Sequence, residues 1–165
     1  MRFFMKQKVF SWGDKFTVKD EQENDCYNVN GEVFSLGHKL HVYDMNGAEI
    51  AYIHQKLLSL HPRFFINIQG FNEELELVKK FTFFNQEYYI ANSSYVLEGN
   101  FSAHSYKLID DGRVVMSVNK EWFTWGDSYV IDIENNEDIL MGICVMLAVD
   151  CANADESHHT TNSNS

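Results

Sequence analysis

The sequence predicts an all-β protein, a closed antiparallel barrel of about twelve strands around one central hydrophobic C-terminal helix. Three observations predict it. From Ile139 to Val149 every residue is apolar or Gly, so a helix there has no polar stripe to offer water and must be wrapped on all sides. The run is shorter than the ~20 apolar residues of a membrane span, which leaves protein as the wrapping. Upstream, short runs of alternating apolar and polar residues separated by turn residues carry the period of strands. Finally, the second half of the chain repeats the layout of the first.

Taken in order, FFMKQKVF and KFTVKD flank SWGD and read as a hairpin on a Gly-Asp turn. The acidic loop DEQEND breaks the pattern. CYNVNGEVF and HKLHVYD follow, closed by DMNG, where Asn46-Gly47 suits the positive φ of a tight turn. AEIAYIHQKLLSL and RFFINI make a further pair around His61-Pro62. The layout then returns. Lys8 to Val18 (KVFSWGDKFTV) matches Lys80 to Ile90 (KFTFFNQEYYI), and Lys56 to Ile66 matches Glu121 to Ile131 (EWFTWGDSYVI). Between them, VNGEVF around Gly31 matches LEGNF around Gly99, and VYDMNGAEIAYI matches LIDDGRVVMSV. The offset falls from 72 at Lys8/Lys80 to 68 at Gly31/Gly99 and 65 at Lys56/Glu121, a drift that shorter loops explain. Two six-strand repeats result. A barrel that wide is not filled by its own side chains, and a helix ~10 Å across suits the space.

The helix has a marked start. Asn135 or Asn136 can cap it, and Glu137 and Asp138 place negative charge on the positive end of its dipole. Residues 1–155 therefore form one domain, and the polar stretch 156–165 (ESHHTTNSNS) is expected to be a disordered tail.

KQKVFSWGDKFTV, the later KEWFTWGDSYVIDIE and the closing ILMGICVMLAVDC together resemble the LURP-one-related proteins, which belong with the tubby-like C-terminal domains. The resemblance covers about residues 1–155, and its paired Trp-Gly-Asp hairpins are its most specific part. It implies a closed twelve-stranded barrel around a C-terminal helix. It also implies an anionic lipid as ligand, since tubby domains bind phosphoinositides and phospholipid scramblases are thought to be related. The basic headgroup cluster of tubby domains has no position-by-position match here, and the acidity of this chain departs from that pattern.

The formal net charge of -11 argues against non-specific nucleic-acid binding. The charge is uneven, however. Residues 1–19 carry Arg2, Lys6, Lys8, Lys15 and Lys19 against Asp14 alone, followed at once by Asp20, Glu21, Glu23 and Asp25. The N-terminus lacks the long apolar region and cleavage site of a secretory signal, and the three cysteines do not form a disulfide framework. Free thiols in a reducing cytoplasm are the expectation.

No phosphate loop, dinucleotide fingerprint or paired CxxC appears, so the reading has no catalytic residue, cofactor or metal site. His38 and His41 fall on opposite strand faces and cannot share a metal. The Trp-Gly-Asp turns read as structural, and the central helix lacks the aromatic-Gly pair that a fluorescent-protein chromophore requires.

Two features stand out. Alternation in ELELVKKFTF puts Lys79 on the inner face with Leu75, Leu77, Phe81 and Phe83, and Asp150 interrupts the apolar helix; a buried Lys79–Asp150 pair is therefore expected. Lys6 and Lys8 share a face of the first strand, and Lys56, Lys80 and Lys120 stand at related places in the repeats, making these five an anion or headgroup site if they converge. The expected function is a non-catalytic binding or adaptor module recognising anionic phospholipid, phosphoinositide or a membrane surface. The alternatives are a protein-interaction domain with no small ligand, and an enzyme whose site is assembled from loops. Oligomeric state is not legible.

Overall fold

A computed structural model gives the fold and describes residues 1–6, 15–32, 35–81, 86–123 and 126–161. The first half supplies β1 (Arg2–Lys6), β2 (Lys15–Asp20), β3 (Asp25–Gly31), β4 (Lys39–Tyr43), β5 (Glu49–Gln55) and β6 (Arg63–Ile68). The second half supplies β7 (Leu75–Phe81), β8 (Gln86–Ala91), β9 (Tyr95–Asn100), β10 (Ser105–Asp110), β11 (Arg113–Phe123) and β12 (Gly126–Ile133), and a helix α1 (Ile139–Thr161) follows. Each strand pairs with its sequence neighbours, and β1 closes the ring against both β12 and β2. The result is the closed twelve-stranded barrel expected from the sequence. Closure leaves no sheet edge unpaired.

Alternation places one apolar set inside. Register lines up Leu40 with Ile53, Ile53 with Ile66 and Ile66 with Leu75. A neighbouring row joins Val29, Val42, Ala51 and Ile68. These rows wrap α1, whose residues 141–152 are all buried. Gly142 lets the helix lie close against β12, since a Cβ there would sit 3.1 Å from Ile133 Cδ1. The duplication survives in detail as well: a register irregularity falls between Val42 and Tyr43 and again between Leu108 and Ile109, positions that the sequence alignment matches.

Three sequence expectations need adjustment. Helix α1 is preceded by a 3₁₀ turn over Asn136–Asp138, and Asn135 makes no side-chain cap bond to it. Asp138 is instead drawn inward and held by Arg113, Nη1 to Oδ2 at 2.8 Å. The helix also continues to Thr161, past the boundary at 155, so residues 156–161 of the expected tail are helical. Once a buried segment has nucleated a helix, adding turns to it is inexpensive. Finally KLLSL, read with the preceding strand, lies outside it: β5 ends at Gln55 and residues 56–62 form a loop. The Trp-Gly-Asp turns fall largely outside the described residues, although Phe123 still pairs with Gly126.

Candidate functional site

Because every neighbouring pair is antiparallel, all odd-numbered strands run toward the same end of the barrel. Helix α1 starts at the opposite end, after β12, and runs toward the end where β1, β3, β5, β7, β9 and β11 finish. We call these the entry and exit ends of the helix.

Four of the five lysines singled out from the sequence lie in the described residues, and these four belong to the exit end. Lys6 is the last residue of β1, opposite Ser128. Lys120 is near the end of β11, opposite Tyr129. Lys80 is near the end of β7, opposite Glu87. Lys56 follows β5, with its backbone N–H donating to the Arg63 carbonyl at 2.9 Å. Lys8 lies outside the described residues. The four do not converge on one point. In the ring order β1 and β11 are two strands apart, as are β7 and β5, and four strand steps separate the two pairs in either direction. They stand as two pairs on opposite sides of one rim. Lys56 is exposed, its ammonium 5.7 Å from the centre of the Phe65 ring.

Two loops on that rim carry an apolar feature that sequence reasoning missed. Leu36, in the β3–β4 connection, is 79% exposed, and in the β5–β6 connection Leu57, Leu58 and Leu60 are 50%, 107% and 94% exposed. The loops are tied together. The His38 backbone N–H donates to Gln55 Oε1 at 3.0 Å, Gln55 N–H donates to the His38 carbonyl at 2.9 Å, and a Cβ on Gly37 would lie 2.9 Å from Leu57 Cδ2. The signal that could have found this is the KLLSLHP string itself, whose Pro62 argues against a strand continuing through it.

Beneath the rim, polar groups hold the emerging helix. Lys79 points into the barrel as expected and is 1% exposed. Among the described contacts, however, its partner is not Asp150. Lys79 Nζ donates to the Ala152 carbonyl at 3.1 Å and to Asn153 Oδ1 at 3.4 Å. Tyr88 Oη donates to the same Oδ1 at 2.6 Å, and Asn153 Nδ2 donates to the Phe101 carbonyl at 3.2 Å. The Lys79–Asp150 pair is thus replaced, among the described contacts, by a lysine clamping the helix a little further along. The physical reason is placement round the ring: Lys79 stands on β7 and reaches the Ala152 carbonyl and Asn153 of the helix, whereas Asp150 is turned toward His104 and toward Tyr129 on β12.

Asp150 faces His104 and Tyr129 instead. His104 Nδ1 lies 3.3 Å from Asp150 Oδ1, and His104 Nε2 lies 3.4 Å from Tyr129 Oη. Burial pushes the Asp150 carboxyl up to about 7, partly countered by a hydrogen bond from Tyr129. Burial also lowers the His104 pKa, helped by the nearby charge of Lys120. Both shifts disfavour charge, so we assign a neutral pair below about pH 7. In it the Asp150 acid donates to Nδ1, which leaves Nε2–H to donate to Tyr129. His104 occupies the left-handed region at φ 49° in the β9–β10 turn. An Asp-His-Tyr chain has the donors for proton transfer, but Tyr129 is only 3% exposed and its hydroxyl is spent inside the barrel. The arrangement seats a helix rather than presenting a nucleophile.

The entry end is built differently. Asp44 Oδ1 accepts from the backbone N–H groups of Asn46 and Ala48 at 2.9 and 2.8 Å. Asp20 Oδ1 accepts from those of Gln22 and Asn24, both at 2.9 Å. These bonds hold both carboxyls below their ordinary range, the Ala48 N–H contributing most at Asp44 and the Asn24 side chain most at Asp20. Acids crowd this end: Asp20, Glu21, Glu23, Asp44, Glu73, Glu74, Asp111, Glu134 and Glu137 all sit in its turns. On the outer wall, His41 lies between two carboxylates, 3.1 Å from Glu49 and 3.0 Å from Glu32. Among the described residues, no helix is long and apolar enough to cross a membrane.

A closed antiparallel barrel plugged by its own C-terminal helix defines a class of domain in which the lumen is filled, leaving the outer walls and rims for recognition. Within that class the chain belongs to the LURP-one-related family, whose model matches residues 1–150. It is 39% identical over 149 residues to the uncharacterised protein YxjI of Bacillus subtilis (strain 168), covering 90% of each chain. Its fold is also that of an X-ray structure of a protein from Arabidopsis thaliana, at a TM-score of 0.57 and 15% identity, covering 90% of each chain.

Proposed function

We propose that this protein is a non-catalytic binding module that recognises an anionic phospholipid surface with the exit end of its barrel. The observation that carries this reading is a bias of charge: Lys6, Lys56, Lys80 and Lys120 stand at one end, interspersed with Glu32, Glu87 and Glu121, while the turns of the other are crowded with acids that Lys19 and Arg113 only partly offset. The seven residues of β5 span ~24 Å between those ends. That is about three Debye lengths at physiological salt, so the acids are screened from a surface touching the exit rim. The two lysine pairs are half a ring apart, too spread to enclose a single headgroup and well placed for a planar array of them. Each lysine near an anionic leaflet contributes about 1 kcal/mol.

Co-sedimentation with vesicles tests the reading. Wild-type protein is expected to pellet with phosphatidylserine-containing vesicles and not with neutral phosphatidylcholine vesicles, and Lys56→Gln with Lys80→Gln to weaken binding more than tenfold. Absence of binding even at low salt, where surface electrostatics are exaggerated, contradicts it and leaves a protein-interaction domain as the function.

A further inference from the structure

We infer that the β3–β4 and β5–β6 loops insert their leucines into the headgroup–acyl boundary of a bilayer, so that the exit rim docks by apolar insertion as well as by charge. The inference rests on the lipid-surface reading above and names how that surface is held. Four leucines on two adjoining loops are exposed, and Leu58 and Leu60 are essentially bare. Single exposed leucines are ordinary on soluble proteins, whereas a group of them on linked loops marks an interaction surface.

The tips are presented rather than merely uncovered. Leu58 occupies the left-handed region at φ 57°, a strained conformation for a branched side chain that persists only when its surroundings impose it. The loop is pinned at its base by the Lys56 N–H bond to the Arg63 carbonyl at 2.9 Å. A pinned loop carries its apolar tips outward with little ordering cost on docking.

The charge pattern selects the occupant. The leucine-bearing stretches read SLGH and KLLSLHP, with Lys56 in the second, and the carboxylate that opens the β3–β4 connection, Glu32, is paired with Lys39 at 3.1 Å. Leucine tips beside a lysine match an interface that is apolar below and anionic above. A second copy of the chain fits less well, because a stable protein interface buries about 800 Å² per partner against a complementary surface, more than four leucine tips provide. The exposed apolar residues Met1, Met45 and Phe71 of the entry end lie in separate segments near acids and lack this combination.

The test uses the full chain carrying Cys26→Ser and Leu60→Cys, labelled at position 60 with an environment-sensitive nitrobenzoxadiazole; Cys144 and Cys151 are buried and protected from the reagent. On phosphatidylserine-containing vesicles the label is expected to brighten, shift to the blue and be quenched by shallow doxyl phospholipids. The same label at Asn46→Cys is expected to stay unchanged. Leu58→Ser with Leu60→Ser is expected to lower vesicle partitioning at least tenfold at physiological salt, with an unchanged thermal transition showing that the fold is intact. Vesicle binding without any response at position 60 overturns insertion and leaves the charge-based lipid reading standing. Failure to bind vesicles at all overturns both. A wild-type dimer that the serine variant returns to monomer, with no blue shift on vesicles, assigns the leucines to a contact between copies and overturns insertion.

Discussion

The entry and exit ends of the barrel are closed by different kinds of contact. At the entry, Asp20 and Asp44 satisfy backbone groups two and four residues away in their own turns, so each turn is complete within its hairpin. At the exit, the bonds that matter join distant parts of the chain: Lys79 to Ala152, Tyr88 to Asn153, His104 to Asp150. The buried polar groups beneath the exit rim are therefore satisfied only once the helix is seated. The difference separates turns complete in themselves from a mouth whose buried polar groups depend on the plug, and the lysines and bare leucines stand round that mouth.

Glycine substitutions give the largest predicted contrast. Gly99, near the exit, has φ 139°, and a Cβ there would strike the Ser105 carbonyl oxygen and Tyr106 Cα. Gly99→Ala is expected to cost roughly 4 kcal/mol, combining backbone strain with overpacking. Gly112, in an entry turn, has φ 80° with open space around it, so Gly112→Ala is expected to cost only about 1 kcal/mol of conformational strain. Urea unfolding of the two variants measures the difference; equal costs would break the distinction.

Next in size is the clamp. Lys79→Ala removes a buried stem and the bonds to the helix, and is expected to cost roughly 3 kcal/mol. Lys79→Met keeps the stem and is expected to recover about half of that. At the entry, Arg113→Ala leaves the Asp138 carboxylate with the Asn135 amide, 3.2 Å away. That loss is expected to cost less than Lys79→Ala, since Arg113 itself is exposed and solvent can replace it. Thermal unfolding ranks the three.

Asp150 supplies a pH dependence. Its carboxyl is raised to about 7 in the folded protein, so the folded state holds more protons than the unfolded one between the ordinary carboxylate range and about pH 7. Stability from this group is full in acid and is lost as pH rises through about 7. Asp150→Asn cannot ionise and is expected to gain on wild type as pH rises from about 5 to about 7, by up to about 1.4 kcal/mol per unit, and to hold that gain above. His104 acts in the opposite sense, its lowered pKa making stability fall as pH drops through the ordinary imidazole range. Unfolding curves against pH check both; a flat difference between Asp150→Asn and wild type would contradict the neutral Asp150–His104 pair. The smallest stability effect belongs to the rim: Leu58→Ser with Leu60→Ser is expected to change unfolding free energy by no more than about 0.5 kcal/mol.

The sequence made the barrel legible because its periods are strong. Leu40 and Val42 alternate with His41, and Ala51 and Ile53 with Tyr52, which sets the inner face without tertiary information. The all-apolar run after Ile139 could only be buried, and the inward aim of Lys79 followed from the same alternation. The identity of its partner did not follow, because that depends on how far the helix rises and rotates within the barrel. His104 gave no local signal: it sits at the end of a turn, and only the closed ring brings it to Asp150. The leucine rim was misread because KLLSL has strand-like composition, and only the hairpin geometry decides that β5 stops at Gln55.

The most direct test of a recognition rim is hydrogen–deuterium exchange of the full chain with and without phosphatidylserine-containing vesicles. The account predicts slowed exchange at residues 35–38 and 56–62 and unchanged exchange at 20–25 and 44–48. Protection of the acidic entry turns, or of neither set under conditions where the protein pellets with vesicles, would contradict it.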